Sequence, residues 1–288
     1  MRIGFYPGCS LNGTSREYNE SVKAIGKALG IDWVELKDWN CCGATAAHSM
    51  NKELSLALPT RILALAEKQG FQEIVVPCAS CYNRLSVAQY ELENNEKLKD
   101  DVLTVVGLPY LGTVKVLNVL QFIEKYILDI LPDKIVRPFA HQVACYYGCL
   151  LLRPHKVLKF DRLEDPQSMD KIMSILGANP IDWAFKTECC GAGLSVSRTD
   201  LVGCLSGNIL KDASDRGAEA VIVACPMCHS NLDMRRSTIN RHLMEPITIP
   251  VLYVTQVLGL AIGLSAKDLG LKRHFVGVNL KEAELCQE

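Results

Sequence analysis

The sequence predicts an α/β protein made of two pseudo-symmetric, Rossmann-like βα repeats, with cysteine-bearing loops at the carboxyl ends of the strands. Three observations carry that expectation. One order of cysteines is written twice along the 288 residues. In each copy, short apolar runs alternate with amphipathic, helix-like stretches. Each cysteine group directly follows one of those runs.

Ten of the thirteen cysteines fall into the two copies. In the first, 31 residues separate Cys9 from the adjacent pair Cys41-Cys42, Gly43 follows, and 35 residues lead on to Cys78-x-x-Cys81. In the second, 39 residues separate Cys149 from Cys189-Cys190, Gly191 follows, and 34 residues lead to Cys225-x-x-Cys228. The repeat predicts two domains: residues 1–135, including a helical connection, and residues 136–288, with a carboxyl-terminal helical docking segment.

Taken in order, Arg2–Tyr6 is an apolar run that reads as a buried strand delivering Cys9 to a loop. Thr14-x-x-Glu17 has the form of a capping box. Val22, Ile25, Ala28 and Leu29 then share one helical face, and Gly30 ends the helix. Ile31–Leu36 is a second strand, with the cysteine pair in the loop after it. Pro59 suits the first turn of a helix over Thr60–Gln69, closed by Gly70. Glu73–Val76 is a third strand, and Cys78 and Cys81 lie at its end. Residues 86–135 read as mostly helical, with Glu91–Asp101 exposed and Thr113–Leu131 as one long amphipathic pattern. The second copy follows the same plan: a strand over His141–Tyr147, a helix capped by Asp165-Pro166 and running through Leu176 to Gly177, and a weaker strand over Ile181–Phe185. A helix over Leu201–Arg216 ends at Gly217, and Ala220–Ala224 is the last strand. Ile249–Leu264 reads as a buried or partner-facing helix, and Ile249–Val276 as a docking surface. The gaps between cysteine groups are each about one βα unit long. Parallel strands bring their carboxyl ends to one edge, so topology assembles each set, and the duplication predicts two centres either side of a shared cleft.

Neighbouring cysteines fit disulfide geometry poorly, so Cys41-Cys42 and Cys189-Cys190 point to a shared metal instead. Thiolate donors select zinc, copper(I) or iron-sulfur clusters. Five thiolates exceed the four of a structural zinc and the four of an ordinary cubane cluster. Two zinc sites that merely hold loops remain the competing interpretation.

Gly8-Cys9, Cys41-Cys42-Gly43 and Cys78-x-x-Cys81, repeated as Gly148-Cys149, Cys189-Cys190-Gly191 and Cys225-x-x-Cys228, resemble the duplicated cysteine-rich "CCG" domain in the catalytic B subunit of heterodisulfide reductase. The resemblance covers nearly the whole chain. It implies that Cys9, Cys41, Cys42, Cys78 and Cys81 hold one noncubane [4Fe-4S] cluster, and Cys149, Cys189, Cys190, Cys225 and Cys228 a second. It implies an oxidoreductase that reductively splits, or forms, a disulfide bound between them. It further implies two partner subunits, one ferredoxin-type and one flavin-bearing, often in an electron-bifurcating complex. An electron-transfer subunit with no disulfide of its own, and a zinc-stabilised assembly scaffold, are the alternatives.

The sequence has neither a ferredoxin-like C-x-x-C-x-x-C-x-x-x-C run nor a G-x-G-x-x-G fingerprint, so electrons are expected from another chain. The net charge of -1 gives no reason to expect a nucleic-acid partner. The absence of an apolar leader after Met1-Arg2 and of a membrane-length apolar run predicts a cytoplasmic protein with no transmembrane segment. Gly8, Gly43, Gly148 and Gly191 fit positive φ or close backbone approach beside the ligands. His48 and His229 are candidates to donate hydrogen bonds to cluster sulfurs or protonate a departing thiolate. Arg84, Arg235, Arg236 and Arg241 are candidates to attract an anionic thiol, against the default of solvated charge. Cys145, Cys204 and Cys286 break the repeat and read as small buried hydrophobes.

Overall fold

The computed structural model describes residues 1–280 apart from 242 and 244. Two parallel four-stranded sheets organise it. The first comprises β1 (Arg2–Phe5), β2 (Asp32–Glu35), β3 (Glu73–Val75) and β4 (Lys115–Leu117) in the order β2-β1-β3-β4. The second comprises β5 (Gln142–Tyr146), β6 (Asn179–Pro180), β7 (Ala220–Val223) and β8 (Val251–Tyr253) in the corresponding order β6-β5-β7-β8. In each sheet the chain leaves the first strand for one side and then crosses to the other. The order therefore reverses between β1 and β3, and between β5 and β7. The crevice at the carboxyl ends of two strands that part in this way is where open α/β sheets bind ligands.

Central strands buried on both faces need continuous apolar sequence. β7 satisfies this in all four positions, and Val143, Ala144, Cys145 and Tyr146 of β5 are equally enclosed. The halves join through side chains. The helix Arg16–Ala28 of the first packs on the helix Val254–Ala261 of the second, where Ser21 Oγ and Thr255 Oγ1 are 2.7 Å apart. Tyr18 and Tyr253 stack with ring centroids 4.0 Å apart, and Arg273 pairs with Glu20 at 2.8 Å.

Several expectations are corrected. Thr113–Leu131 is not one helix: β4 comes first, and Asn118 then caps a separate helix, Val119–Tyr126, in a reciprocal pair with Gln121. Ile249–Leu264 likewise opens with β8. Its residues Val251–Ala261 are buried, β8 against β7 of its own half and the helix Val254–Ala261 against Arg16–Ala28 of the first, which is the buried alternative of that expectation. Pro59 lies inside one helix, Lys52–Lys68. Its missing N–H is tolerated there because Leu56, Ala57, Ile62, Leu63 and Ala66 bury one continuous face, while the Thr60 hydroxyl bonds Leu56 O at 2.7 Å. Thr14 does not cap the next helix, whose N-cap is Ser15 without a side-chain bond. Ala28 on that helix is exposed. The helix Ser168–Ile175 is capped by Asp161, whose carboxylate accepts the N–H groups of Gln167 and Ser168 at 3.0 and 2.8 Å; Asp165 instead meets Lys186. The expected strand over Ile181–Phe185 does not form: the two-residue β6 precedes it, and a 3-10 turn covers Ala184–Thr187. Cys9 lies in a one-turn helix, Gly8–Asn12, and not in a loop.

Candidate metal centre

All ten repeated cysteines line one cavity of about 370 Å³. Cys9 and Cys149 follow β1 and β5. The adjacent pairs follow β2 and β6, and the C-x-x-C pairs follow β3 and β7. Cys78 is the N-cap of the helix Ala79–Glu93, and Cys225 that of the short helix Pro226–His229. Cys9, Cys41 and Cys189 face the opening, Cys149 is half-buried, and the other six are buried.

The sulfurs touch one another without disulfide bonds. Cys9 and Cys41 are 3.9 Å apart, Cys42 and Cys81 3.2 Å, and Cys190 and Cys228 3.7 Å. Cys78 contacts Cys225, so the two sets meet where the halves meet. Such crowding splits the thiols. Cys189 is lowered to about 6, first by its bond to Cys149 and then by the Gly191 and Ala192 N–H groups, against its burial. Cys41 is lowered further, by Cys42 and Cys9. Cys42 is raised to about 11, chiefly by Cys41. Thiolate is the form that binds metal, and a set in which some thiols already ionise readily, within bonding reach of one another, fits a soft metal centre.

The glycines show why this geometry needs them. Gly8, Gly43, Gly148 and Gly191 all have positive φ, between 64° and 79°. A Cβ on Gly8 would stand 3.0 Å from Cys81 Sγ, and one on Gly148 3.0 Å from Cys228 Sγ. Gly43 and Gly191 also turn their N–H groups onto Cys41 and Cys189 Sγ, at 3.5 and 3.3 Å.

Two tyrosines escaped the sequence reading. Tyr6 donates to Asn40 O at 2.9 Å, and Tyr146 to Glu188 O at 2.6 Å. Each ties a central strand to the carbonyl just before a cysteine pair. The signal was present in Tyr6-x-Gly-Cys9 and Tyr146-x-Gly-Cys149, a longer repeat than the glycine and cysteine alone. Tyr18, also unforeseen, directs its hydroxyl at Pro77 O and Ala224 O, 3.4 and 3.3 Å away, which precede Cys78 and Cys225.

The histidines separate. His48 is exposed at the cavity mouth. His229 turns away from the sulfurs into the core, stacked on Tyr253 at 4.3 Å with Nε2 3.1 Å from Val251 O. There it approaches Asp233 and His274, a trio with metal-capable atoms within 4.8 Å of one another. Hydrogen bonding accounts for that trio without a metal. Gln256 Oε1 accepts the Tyr253 N–H and its Nε2 donates to Leu269 O, so the amide orientation is fixed. The same NH₂ lies 2.8 Å from His274 Nε2, which accepts, so the proton is on Nδ1. Asp233 accepts the N–H groups of Phe275 and Val276, anchoring that segment.

Of the arginines, only Arg84 lines the cavity. Arg236 is buried in bonds to Leu232, Ile247 and Ile249 carbonyls, Arg235 holds Ser195 O, and Arg241 meets Ser237 O on the surface. Cys145 is buried as expected, Cys204 is exposed against expectation, and Cys286 lies outside the described residues.

A duplicated parallel α/β fold that brings five cysteines of each half to its strand ends, around one cavity, defines a cysteine-rich two-repeat protein. Residues 3–86 and 143–233 both match the cysteine-rich domain family CCG. The chain is 31% identical over 276 residues to the 8-methylmenaquinol:fumarate reductase membrane anchor subunit of Wolinella succinogenes, covering 95% of this chain and 96% of that one. It is 30% identical over 285 residues to the B subunit of a ferredoxin/F420H2-dependent CoB-CoM heterodisulfide reductase of Methanosarcina acetivorans, covering 96% and 94%. The chain belongs to the CCG family and, within it, to the group that includes the B subunits of heterodisulfide reductases. A crystal structure of a hypothetical protein from Helicobacter pylori shares the fold, with a TM-score of 0.80 at 15% identity over 96% of this chain and 52% of that one. No described helix is long and apolar enough to cross a membrane.

Proposed function

We propose that the chain is the thiol/disulfide-active subunit of a multi-subunit oxidoreductase, with an iron-sulfur cluster, noncubane [4Fe-4S], on each five-cysteine set. The observation that supports this best is the common cavity: ten thiols from two halves open onto one space, and the sets touch at Cys78 and Cys225. Bound clusters would supply single electrons and thiophilic iron on both sides of that space. The chain's own residues perform the rest. The glycine-bordered turns present the thiolates, the buried six keep water from one side, and the open mouth beside His48 admits substrate and protons. A disulfide takes up two electrons and two protons and leaves as two thiols. The electrons come from a partner with its own redox centres, and a ferredoxin-type subunit with a flavin subunit behind it suits that role. The complex is cytoplasmic in this reading.

The 3.9 and 3.7 Å sulfur separations also suit two thiolates on one tetrahedral zinc, for which a Zn–S bond of about 2.3 Å sets ligands about 3.8 Å apart. A fifth thiolate in each set then has no role. Iron, zinc and acid-labile sulfide content of the anaerobically purified protein decides between them. About eight irons with matching sulfide are expected for two four-iron clusters, falling to about four in Cys42→Ser or Cys190→Ser alone. A paramagnetic signal that changes when thiol is added to the partly oxidised protein supports disulfide chemistry. The same iron without that response leaves an electron-transfer role, and stoichiometric zinc with little sulfide ends the proposal.

A further inference from the structure

The two walls of the cavity differ in charge and polarity. The first half contributes Arg84 and His48 beside the hydroxyls of Thr45 and Ser49, whereas the second contributes Leu150, Ala192 and Met227 with Tyr147, whose hydroxyl donates to Asp170. No carboxylate is among the described residues lining it. Arg84 lies one helical turn beyond Cys81 and is half-buried. Its position is fixed: Asn83 donates to Leu150 O and Arg153 O at 3.1 and 2.6 Å, and its remaining oxygen accepts from Arg84 Nη2 at 2.7 Å. Burial lowers the guanidinium's pKa. A half-buried cation with no carboxylate partner among the described residues is costly unless an anion completes it. The matching position of the second half, three residues beyond Cys228, holds Asn231, which is neutral and donates to Cys190 O at 2.9 Å.

We propose that Arg84 is the cavity's specificity-determining residue: it receives the carboxylate, sulfonate or phosphate of an anionic thiol. It thereby directs that half of an unsymmetrical disulfide to the first five-cysteine set and leaves the less polar half against Leu150 and Met227. The proposal rests on the thiol/disulfide reading above. It requires an anionic group within a few bonds of the sulfur, because Arg84 and the sulfurs line the same small space.

Calorimetric titration of the anaerobically purified, cluster-loaded protein with mercaptopropionate and mercaptopropanol, thiols of equal length, tests it. The wild type is expected to bind the anionic thiol about 10- to 100-fold more tightly, as suits a charge-assisted, partly desolvated contact. Arg84→Met removes that preference by weakening only the anionic arm, and Arg84→Lys keeps part of it. Equal weakening of both thiols in Arg84→Met overturns the proposal. So does a shift of the cluster midpoint potential with the preference intact, which would assign the guanidinium to the thiolates. Should Arg84→Met fail to load, the wild-type ratio and Arg84→Lys still decide, since a wild-type ratio near one is fatal. Wild-type protein that binds neither thiol overturns the thiol/disulfide reading itself, a result distinct from binding both equally.

Discussion

In the first half, Cys78 and Cys81 open a regular helix, Ala79–Glu93; in the second, Cys225 and Cys228 open one that widens after a single turn into the π-helical Ser230–Met234. The regular helix puts Arg84 on the cavity. The widened one turns Asn231 onto Cys190, with its oxygen accepting from the Ser195 hydroxyl at 2.9 Å. A π segment inside a helix often marks a functional position, and here it separates two otherwise equivalent sites. The segments that carry Cys9 and Cys149 differ as well. Cys9 stands in its own helical turn. The chain around Cys149 is held from below by Lys186, whose ammonium meets Asp165 and Asp170 at 2.9 and 3.0 Å and whose carbonyl accepts the Tyr147 and Gly148 N–H groups. Duplication kept the strand-end thiols and replaced their supports.

The support is where the halves should separate most under mutation. Lys186 is only 4% exposed and its partner Asp170 12%, so Lys186→Met leaves a buried carboxylate without its cation and should cost about 3–5 kcal/mol. The first half's Arg61–Asp38 pair lies at the surface, with Asp38 76% exposed, and Arg61→Met should cost about 0–1 kcal/mol. Denaturant unfolding under anaerobic conditions measures both; equal costs would break the comparison. The glycines, by contrast, should show the halves alike. Gly8→Ala and Gly148→Ala each force a left-handed backbone and a 3.0 Å contact with a thiol, at about 1–2 kcal/mol apiece. Thermal unfolding, read with iron content, checks whether either variant departs from the other. A smaller effect than that of the glycines is expected from the tyrosines. Tyr6→Phe and Tyr146→Phe each remove one hydrogen bond, about 1 kcal/mol, with the shorter bond of Tyr146 giving the larger loss in the same unfolding assay.

Much of this arrangement was legible before the structure. β1, β3, β5 and β7 are apolar runs that stop at proline, glycine or cysteine, so their ends and the thiols after them stand out in sequence. β4 and β8 were not legible because each is three residues long and runs directly into an apolar helix. A period of two over so few residues disappears inside the following period of 3.6. The caps failed for a different reason. Asp161, seven residues before Ser168, occupies the helix end by folding back, a contact that sequence spacing alone does not indicate. His229 shows the limit for the site: adjacency to Cys228 says nothing about direction, and a helical turn carries the next side chain away from the sulfurs.

Tyr18 has one proton and two acceptors, Pro77 O and Ala224 O, each belonging to a different copy of the repeat. The second half's helix corresponding to Arg16–Ala28 begins only at Ser168, so no second tyrosine competes for the place. Two identical copies would each bring a ring to the same spot. A pair of separate, equal chains could not have used this residue. With both copies in one chain the position belongs to one of them, and the symmetry of the cavity is broken at its seam.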